Sequence, residues 1–124
     1  MLSDWNVITM IPAADLERAR QFYEEKLDLR PGRQVPGMQF YNSGGAEFAL
    51  YATEFAGTGK QTVMAWETRD LDREMGRLRS RGIEFEEYDM PGLRTVNGVA
   101  MLSGARSAWF RDSEGNTLGI YQLA

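Results

Sequence analysis

Ile8-Thr-Met-Ile-Pro-Ala-Ala-Asp15-Leu-Glu-Arg18 is followed about 55 residues later by the similar stretch Val63-Met-Ala-Trp-Glu-Thr-Arg-Asp70-Leu-Asp-Arg73. Each stretch is typical of a strand that leads into a helix, with an aspartate as the helix N-cap. Their ends match as well, since Phe48-Ala-Leu-Tyr51 closes the first copy and Leu118-Gly-Ile-Tyr121 closes the second. An internal repeat of this kind predicts two half-domains that bury their apolar faces together.

The residues between these landmarks predict the remaining elements. After Asp15, apolar residues recur at helical spacing, and glycines then divide the chain into three short strands, the last at 47–53. The second half predicts a strand at 62–67, a helix capped by Asp70, a strand at 83–88 and a final hairpin with its turn at 112–116. We therefore expect an α+β fold in a single domain, 1–124, in which two βαβββ modules, about 1–55 and 61–124, form curved mixed sheets around a cleft.

The second copy is about 15 residues longer than the first between its helix cap and its closing motif. The excess lies in the glycine-rich segment at 90–104, which we interpret as a loop or weak strand. Long loops on a rigid scaffold often carry function. We expect this segment to close over the cleft as a lid that contacts a ligand through Met90, Arg94 and Thr95; a floppy connection, or a strand packed against a partner chain, is the alternative.

Composition excludes several classes of function. Fourteen basic and eighteen acidic residues give a net charge of −4, which disfavours binding to nucleic acids or anionic membranes. No apolar run approaches the ~20 residues of a membrane span, and no signal segment opens the chain, so a cytoplasmic protein is expected. The chain has neither cysteine nor histidine. This excludes thiol chemistry, Ser–His and Cys–His nucleophile systems and imidazole metal ligands.

The stretches Asp15-Leu-Glu-Arg-Ala-Arg-Gln-Phe-Tyr23 and Phe110-Arg-Asp-Ser-Glu-Gly-Asn-Thr-Leu118 resemble the vicinal oxygen chelate superfamily of glyoxalase I, extradiol dioxygenases, fosfomycin-resistance enzymes and bleomycin-binding proteins. In its enzymes a divalent metal is held by one residue from the first strand and one from the last strand of each module. The repeat places these positions at Ile8, Ala49, Val63 and Gly119. None of these side chains can coordinate a metal, and an all-oxygen site would need Glu47, Glu54 or Glu67.

We therefore favour a metal-free protein without a cofactor that binds a small organic ligand in an apolar, aromatic cleft and forms a homodimer. Two alternatives are a metal-dependent lyase or dioxygenase of the glyoxalase type and a sensing or interaction module without chemistry. Glu67 shares a strand face with Val63 and Ala65, which makes it a candidate general base or counter-ion, or simply a carboxylate at the rim. The complete set of expected ligand-binding residues is Phe40, Tyr51, Glu67, Met90, Arg94, Thr95, Trp109 and Tyr121.

Overall fold

The structure, a computed structural model, describes all 124 residues and begins with a βαβββ module. Module one follows a short 3-10 turn at Leu2–Asp4. Its helix α1 continues through a π-helical turn at Phe22–Lys26. The elements are β1 (Thr9–Ala13), α1 (Leu16–Gln21), β2 (Pro31–Val35), β3 (Met38–Ser43) and β4 (Ala46–Ala52). They form a sheet of order β1-β4-β3-β2, in which β1 is parallel to β4 and the other pairs are antiparallel.

Module two repeats this arrangement with an insertion. Its elements are β5 (Thr62–Glu67), α2 (Leu71–Ser80), the two-residue strands β6 (Asp89–Met90) and β7 (Leu93–Arg94), β8 (Ala100–Leu102), β9 (Ala105–Arg111) and β10 (Thr117–Leu123). The main sheet has the order β5-β10-β9-β8, while β6 and β7 form a small separate ribbon. The predicted α+β fold of two βαβββ modules is therefore confirmed, and the strand order is the same in both modules.

The strand expected at 83–88 is wrong. Only Phe85 makes an isolated bridge there, to Phe110, and β8 takes the place beside β9 instead. Ser103 and Gly104 connect β8 to β9 with positive φ angles of 48° and 79°, as the two-residue turns preferred in hairpins require. The close hairpin partner thus pairs with β9 in preference to the more distant segment, and the last part of the expected loop at 90–104 is a sheet strand.

The helix starts agree with the sequence prediction. Asp15 accepts a hydrogen bond from the Arg18 backbone N–H at 3.1 Å, and Asp70 accepts one from the Arg73 N–H, also at 3.1 Å. Each carboxylate satisfies a backbone donor that has no partner within its helix.

The apolar core lies on the helix-bearing face of each sheet. One cluster is shared between the modules, since Tyr23 and Phe48 of module one pack with Phe110 and Leu118 of module two. A smaller cluster lies under α2 and contains Leu71, Met75, Ala108 and Ile120. No helix in the structure is both long enough and apolar enough to span a membrane.

A buried polar network fastens the final turn of module two to helix α1. Asp112 accepts hydrogen bonds from the Tyr23 hydroxyl at 2.7 Å and from the Asn116 side chain at 2.9 Å. Glu114 accepts from Arg18 at 2.8 and 3.0 Å and from the backbone N–H of Asp15 at 2.7 Å. The two stretches that carry the family resemblance are therefore in direct contact, and their polar residues serve the fold.

Candidate functional site

The strand register aligns the expected metal positions of the two modules. In module one Ala49 pairs with Met10, and in module two Gly119 pairs with Ala65. Ile8 and Val63 lie two residues before these first-strand partners, so the two modules correspond position by position.

The side chains at these positions do not fit a divalent metal. Alkyl groups and a glycine offer no donor atom, and Met10 offers only a soft thioether, which suits neither zinc nor magnesium. Nowhere in the chain do three Asp or Glu side chains come together as a metal-binding group. Of the carboxylates that could replace them, Glu47 is held by the Arg33 guanidinium through hydrogen bonds of 3.0 Å to each oxygen.

An indole ring lies over the position of the missing ligand in the last strand. Trp109 pairs with Gly119 across β9 and β10. A Cβ atom at position 119 would lie 3.4 Å from Trp109 Cδ1, 3.5 Å from the Ala65 Cβ and 3.5 Å from Thr62 Cγ2. A Cβ would make ordinary contacts here, but a longer, ligating side chain at position 119 would project toward the indole.

Further aromatic and acidic groups surround this indole. The Tyr88 ring meets Trp109 edge-on, with ring centroids 5.7 Å apart and planes at 71°. The Tyr121 hydroxyl donates a hydrogen bond to Glu67 at 3.2 Å. We call the surface formed by Glu67, Tyr88, Trp109 and Tyr121 the aromatic face of module two.

The hydroxyl groups of this face stay protonated at neutral pH. Desolvation and the hydrogen bond to Glu67 both raise the pKa of Tyr121. Desolvation also raises the pKa of Tyr88, and the nearby Glu86 carboxylate adds to the effect. The aromatic face thus presents two neutral phenols and one indole beside the Glu67 carboxylate, which suits recognition of a planar or cationic group.

The structure places three of the expected ligand-binding residues, Glu67, Trp109 and Tyr121, on this one face. Thr95 lies beside it, because its hydroxyl accepts from the Tyr88 N–H at 2.7 Å and its own N–H donates to the Tyr88 carbonyl at 2.9 Å. Sequence reasoning did not select Tyr88, although the aromatic residue before the glycine-rich segment was a usable signal.

The other four expected residues lie elsewhere. Phe40 and Tyr51 are in the sheet of module one, where Phe40 is buried and the Arg33 guanidinium lies 4.0 Å from its ring centroid. Met90 and Arg94 belong to the β6–β7 ribbon and line a groove of their own with Val99 and Leu102. The eight residues therefore do not form one continuous cleft within a single chain.

A cavity of about 270 Å³ lies on the opposite side of the same sheet. Phe110 and Ile120 line it, whereas their strand neighbours Trp109 and Tyr121 belong to the aromatic face. This apolar space thus lies between the modules, and only Glu67, at the end of β5, borders both surfaces.

Comparison with known proteins identifies the family. Residues 7–120 match the model of the Glyoxalase/Bleomycin resistance protein/Dioxygenase superfamily. The chain belongs to this superfamily. A comparison with curated proteins finds no match.

Several solved structures share the fold. A glyoxalase/bleomycin resistance protein/dioxygenase from Nocardioides is 24% identical, with a TM-score of 0.69 and coverage of 96% of this chain and 84% of that one. The fosfomycin resistance protein FosX from Listeria monocytogenes, complexed with Mn(II) and sulfate, is 12% identical, with a TM-score of 0.71 and coverage of 97% and 90%. TnmS3, an antibiotic-binding protein from a Streptomyces species, is 22% identical, with a TM-score of 0.63 and coverage of 97% and 98%.

Proposed function

We propose that this protein binds a small organic molecule without a metal, against the aromatic face of module two. The observation that carries the proposal is the contact between Trp109 and Gly119. Where the metal enzymes of the superfamily need a ligating side chain, this chain has a glycine covered by an indole. The glycine therefore removes a metal ligand, and the indole supplies an apolar binding surface in its place.

The chemistry of the face defines the ligand. Trp109 and Tyr88 offer aromatic contact area, which favours a planar or aromatic group. Glu67 adds one carboxylate, and the nearest polar partner on the face is the neutral Tyr121 hydroxyl. A ligand that combines an aromatic ring with a cationic or hydrogen-bond-donating group fits this arrangement. Sequestration of such a molecule has a parallel in TnmS3, which is described as an antibiotic-binding protein.

The proposal includes a homodimer in the cytoplasm. Apolar residues remain exposed on the sheet faces opposite the helices, including Met10 at 42% and Leu123 at 56%. A second copy that covers these faces would bury this surface and turn the open aromatic face into a closed cleft. Sedimentation equilibrium at micromolar concentration should give twice the chain mass of 14.1 kDa, and a persistent monomer would contradict this part of the proposal.

The residues at the expected metal positions do not favour the alternative of a metal-dependent lyase or dioxygenase. A lactoylglutathione lyase from Agrobacterium tumefaciens shares the fold at 19% identity and a TM-score of 0.67. Its likeness supports the architecture alone, since the ligand positions of this chain are Ile8, Ala49, Val63 and Gly119.

Native mass spectrometry of the protein incubated with a metabolite extract and excess EDTA tests the function. We expect a retained organic ligand, and we expect Trp109→Ala to lose it while the matched variant Trp5→Ala keeps it. A thermal melt of both variants without ligand separates loss of binding from loss of folding. Retention by the folded Trp109→Ala protein, or the absence of any retained ligand from several extracts, would contradict the proposal.

A further inference from the structure

The cavity between the modules has the composition of a ligand site, although it lies away from the aromatic face. Its apolar walls come from both modules: Leu27, Leu29, Trp66, Leu78, Phe110 and Ile120. The first two follow helix α1, Leu78 belongs to α2, and the others lie on the helix-bearing face of the second sheet. A pocket built from convergent elements of two modules is a common position for small-molecule sites.

Incomplete packing of helix α2 creates the space. Only Leu71 and Met75 of this helix are buried, while Leu78, one turn further on, is half-exposed. Leu27, Leu29 and Trp66 are also only partly buried, although they pack against the core. Their apolar surface would leave water if a ligand filled the cavity, which favours binding of an apolar group.

The charged groups of the lining are both acidic. Glu74 of α2 and Glu67 at the end of β5 border the cavity, with Ser43 and Thr68 as the uncharged polar members. The Trp66 indole N–H is already used, because it donates to the Ser43 hydroxyl at 3.1 Å. No Lys or Arg lines this space.

Basic groups lie beyond the rim. Arg77 approaches Glu74 only loosely, with Nη1 and Oε1 3.7 Å apart and both side chains accessible to solvent. Lys26, Arg77 and Arg81 belong to a separate polar groove on the other side of Glu74 and Leu78. The Glu74 carboxylate therefore stands between the apolar cavity and this groove, and a cation that enters the cavity competes for it only with the loose Arg77 pair.

We propose that the cavity between the modules binds a small hydrophobic amine, whose apolar group fills the space and whose ammonium group pairs with Glu74. The volume of about 270 Å³ lies just below the ~300–1,000 Å³ of drug-sized sites. A single aromatic ring or a branched alkyl chain with one amino group is the corresponding size class. This site is separate from the aromatic face, and each can exist without the other.

The three tryptophans provide independent reporters. Trp66 lines the cavity, Trp109 lies on the aromatic face, and Trp5 is exposed near the N-terminus. In a ¹⁵N–¹H correlation spectrum of the intact protein, the three indole signals are assigned with single Trp→Phe variants. Benzylamine, benzyl alcohol and phenylacetate are then titrated as probes of similar shape but different charge.

We expect benzylamine to shift the Trp66 indole signal saturably and to leave the Trp5 and Trp109 signals in place. Its affinity should exceed that of benzyl alcohol by about tenfold, because only benzylamine has an ammonium group that can pair with the Glu74 carboxylate. Glu74→Gln should remove that preference, whereas Glu25→Gln, which changes the net charge equally at an exposed site, should keep it. Leu29→Trp should fill the cavity and abolish the shift, with Leu27→Trp as the second variant if the first does not fold.

Three results would overturn the proposal: a Trp66 signal that no probe moves, phenylacetate binding as tight as that of benzylamine, or a shift that survives in a folded cavity-filling variant. A probe that moves only Trp109 would likewise contradict the cavity site while supporting binding at the aromatic face. A shift of the Trp66 signal alone would support the cavity site and would not bear on the proposed function, which is tested separately.

Discussion

The Tyr23 hydroxyl of module one donates a 2.7 Å hydrogen bond to the Asp112 carboxylate in the final turn of module two. Both residues are buried, and Asp112 also accepts from the backbone N–H groups of Glu114 and Asn116 at 2.9 Å. Burial and the Asp112 charge hold the pKa of Tyr23 well above its usual range, so the phenol remains a donor. The contact fixes one module against the other.

Tyr23→Phe should reduce the free energy of unfolding by about 1–3 kcal/mol, because it removes a donor from a buried carboxylate without opening a large cavity. Chemical denaturation at neutral pH measures the change. Tyr51→Phe is the matched control, since that hydroxyl lies on the half-exposed sheet face, and it should change stability by less than about 0.5 kcal/mol. Equal effects of the two substitutions would show that the Tyr23 hydroxyl does not couple the modules.

Stability should depend on Glu114 at acid pH. Burial alone would raise the pKa of this carboxyl, but hydrogen bonds from Arg18, from the Asp15 backbone and from Ser113 outweigh it and lower the pKa from 4.5 to about 2. Since the folded-state pKa is depressed, the contribution is complete above about pH 4.5 and is lost as the pH falls toward 2. We expect a loss on the order of 2–3 kcal/mol across this window.

Glu114→Gln isolates that contribution. Its unfolding free energy should be lower than that of the parent protein at pH 6, and the difference should shrink as the pH falls from 4.5 toward 2. Glu17→Gln, an exposed change on helix α1, should leave the pH profile as it is. A Glu114→Gln profile parallel to that of the parent would contradict the assigned pKa.

The repeat in the sequence was sufficient to predict the fold because its signals are local. Asp15 and Asp70 cap their helices within three residues, and the turn at 112–116 closes its own hairpin. The prediction of a strand at 83–88 was wrong because two segments, 83–88 and β8, could pair with the same edge of β9. Both have strand-like sequences, and periodicity alone does not show which of them pairs; the structure has the close hairpin partner, β8.

The candidate site was only partly predictable for a similar reason. Strand alternation placed Glu67 on the face of Val63 and Ala65, as period two requires, but it did not decide which aromatic residues share that face. The register of β9 and β10 shows that Trp109 and Tyr121 do. Alternation shows which face of its own strand a residue occupies, but not how the two sheets are placed in space. The sequence therefore predicted Phe40 and Tyr51 of module one in the same site as residues of module two, and the structure separates them. The cavity between the modules depends on the packing of α2 against residues 27–29, which no local pattern indicates.

Substitutions at Gly119 should separate backbone effects from the indole contact. Gly119→Ala adds a Cβ at ordinary contact distances of 3.4–3.5 Å, so stability should change by less than about 1 kcal/mol. Gly119→Glu adds a chain that must displace Trp109, and we expect a larger loss of stability with a red-shifted tryptophan emission. Fluorescence and denaturation measure both effects, and an unchanged emission in the glutamate variant would show that the indole does not cover this position.

The segment expected to be a lid should divide into two parts in hydrogen exchange. Amides of β8 are paired with β9 and should exchange slowly, whereas the two-residue strands of the β6–β7 ribbon should exchange quickly and become protected only when a ligand is bound. Arg94→Ala should change the melting temperature by less than about 1 °C. The Arg94 side chain is 78% exposed, and its ion pair with Asp89 is loose, at 3.9 Å. Uniform protection of residues 89–102 in the free protein would contradict a mobile ribbon.

Elemental analysis combined with ligand retention tests the central claim most directly. The protein, purified without chelators and dialysed, should contain far less than one equivalent of zinc, nickel, manganese, iron or cobalt per chain. The ligand retained in native mass spectrometry should remain bound at the same occupancy with and without EDTA. A stoichiometric metal that survives dialysis, or a ligand that is released by EDTA and returns when that metal is added, would contradict metal-free binding.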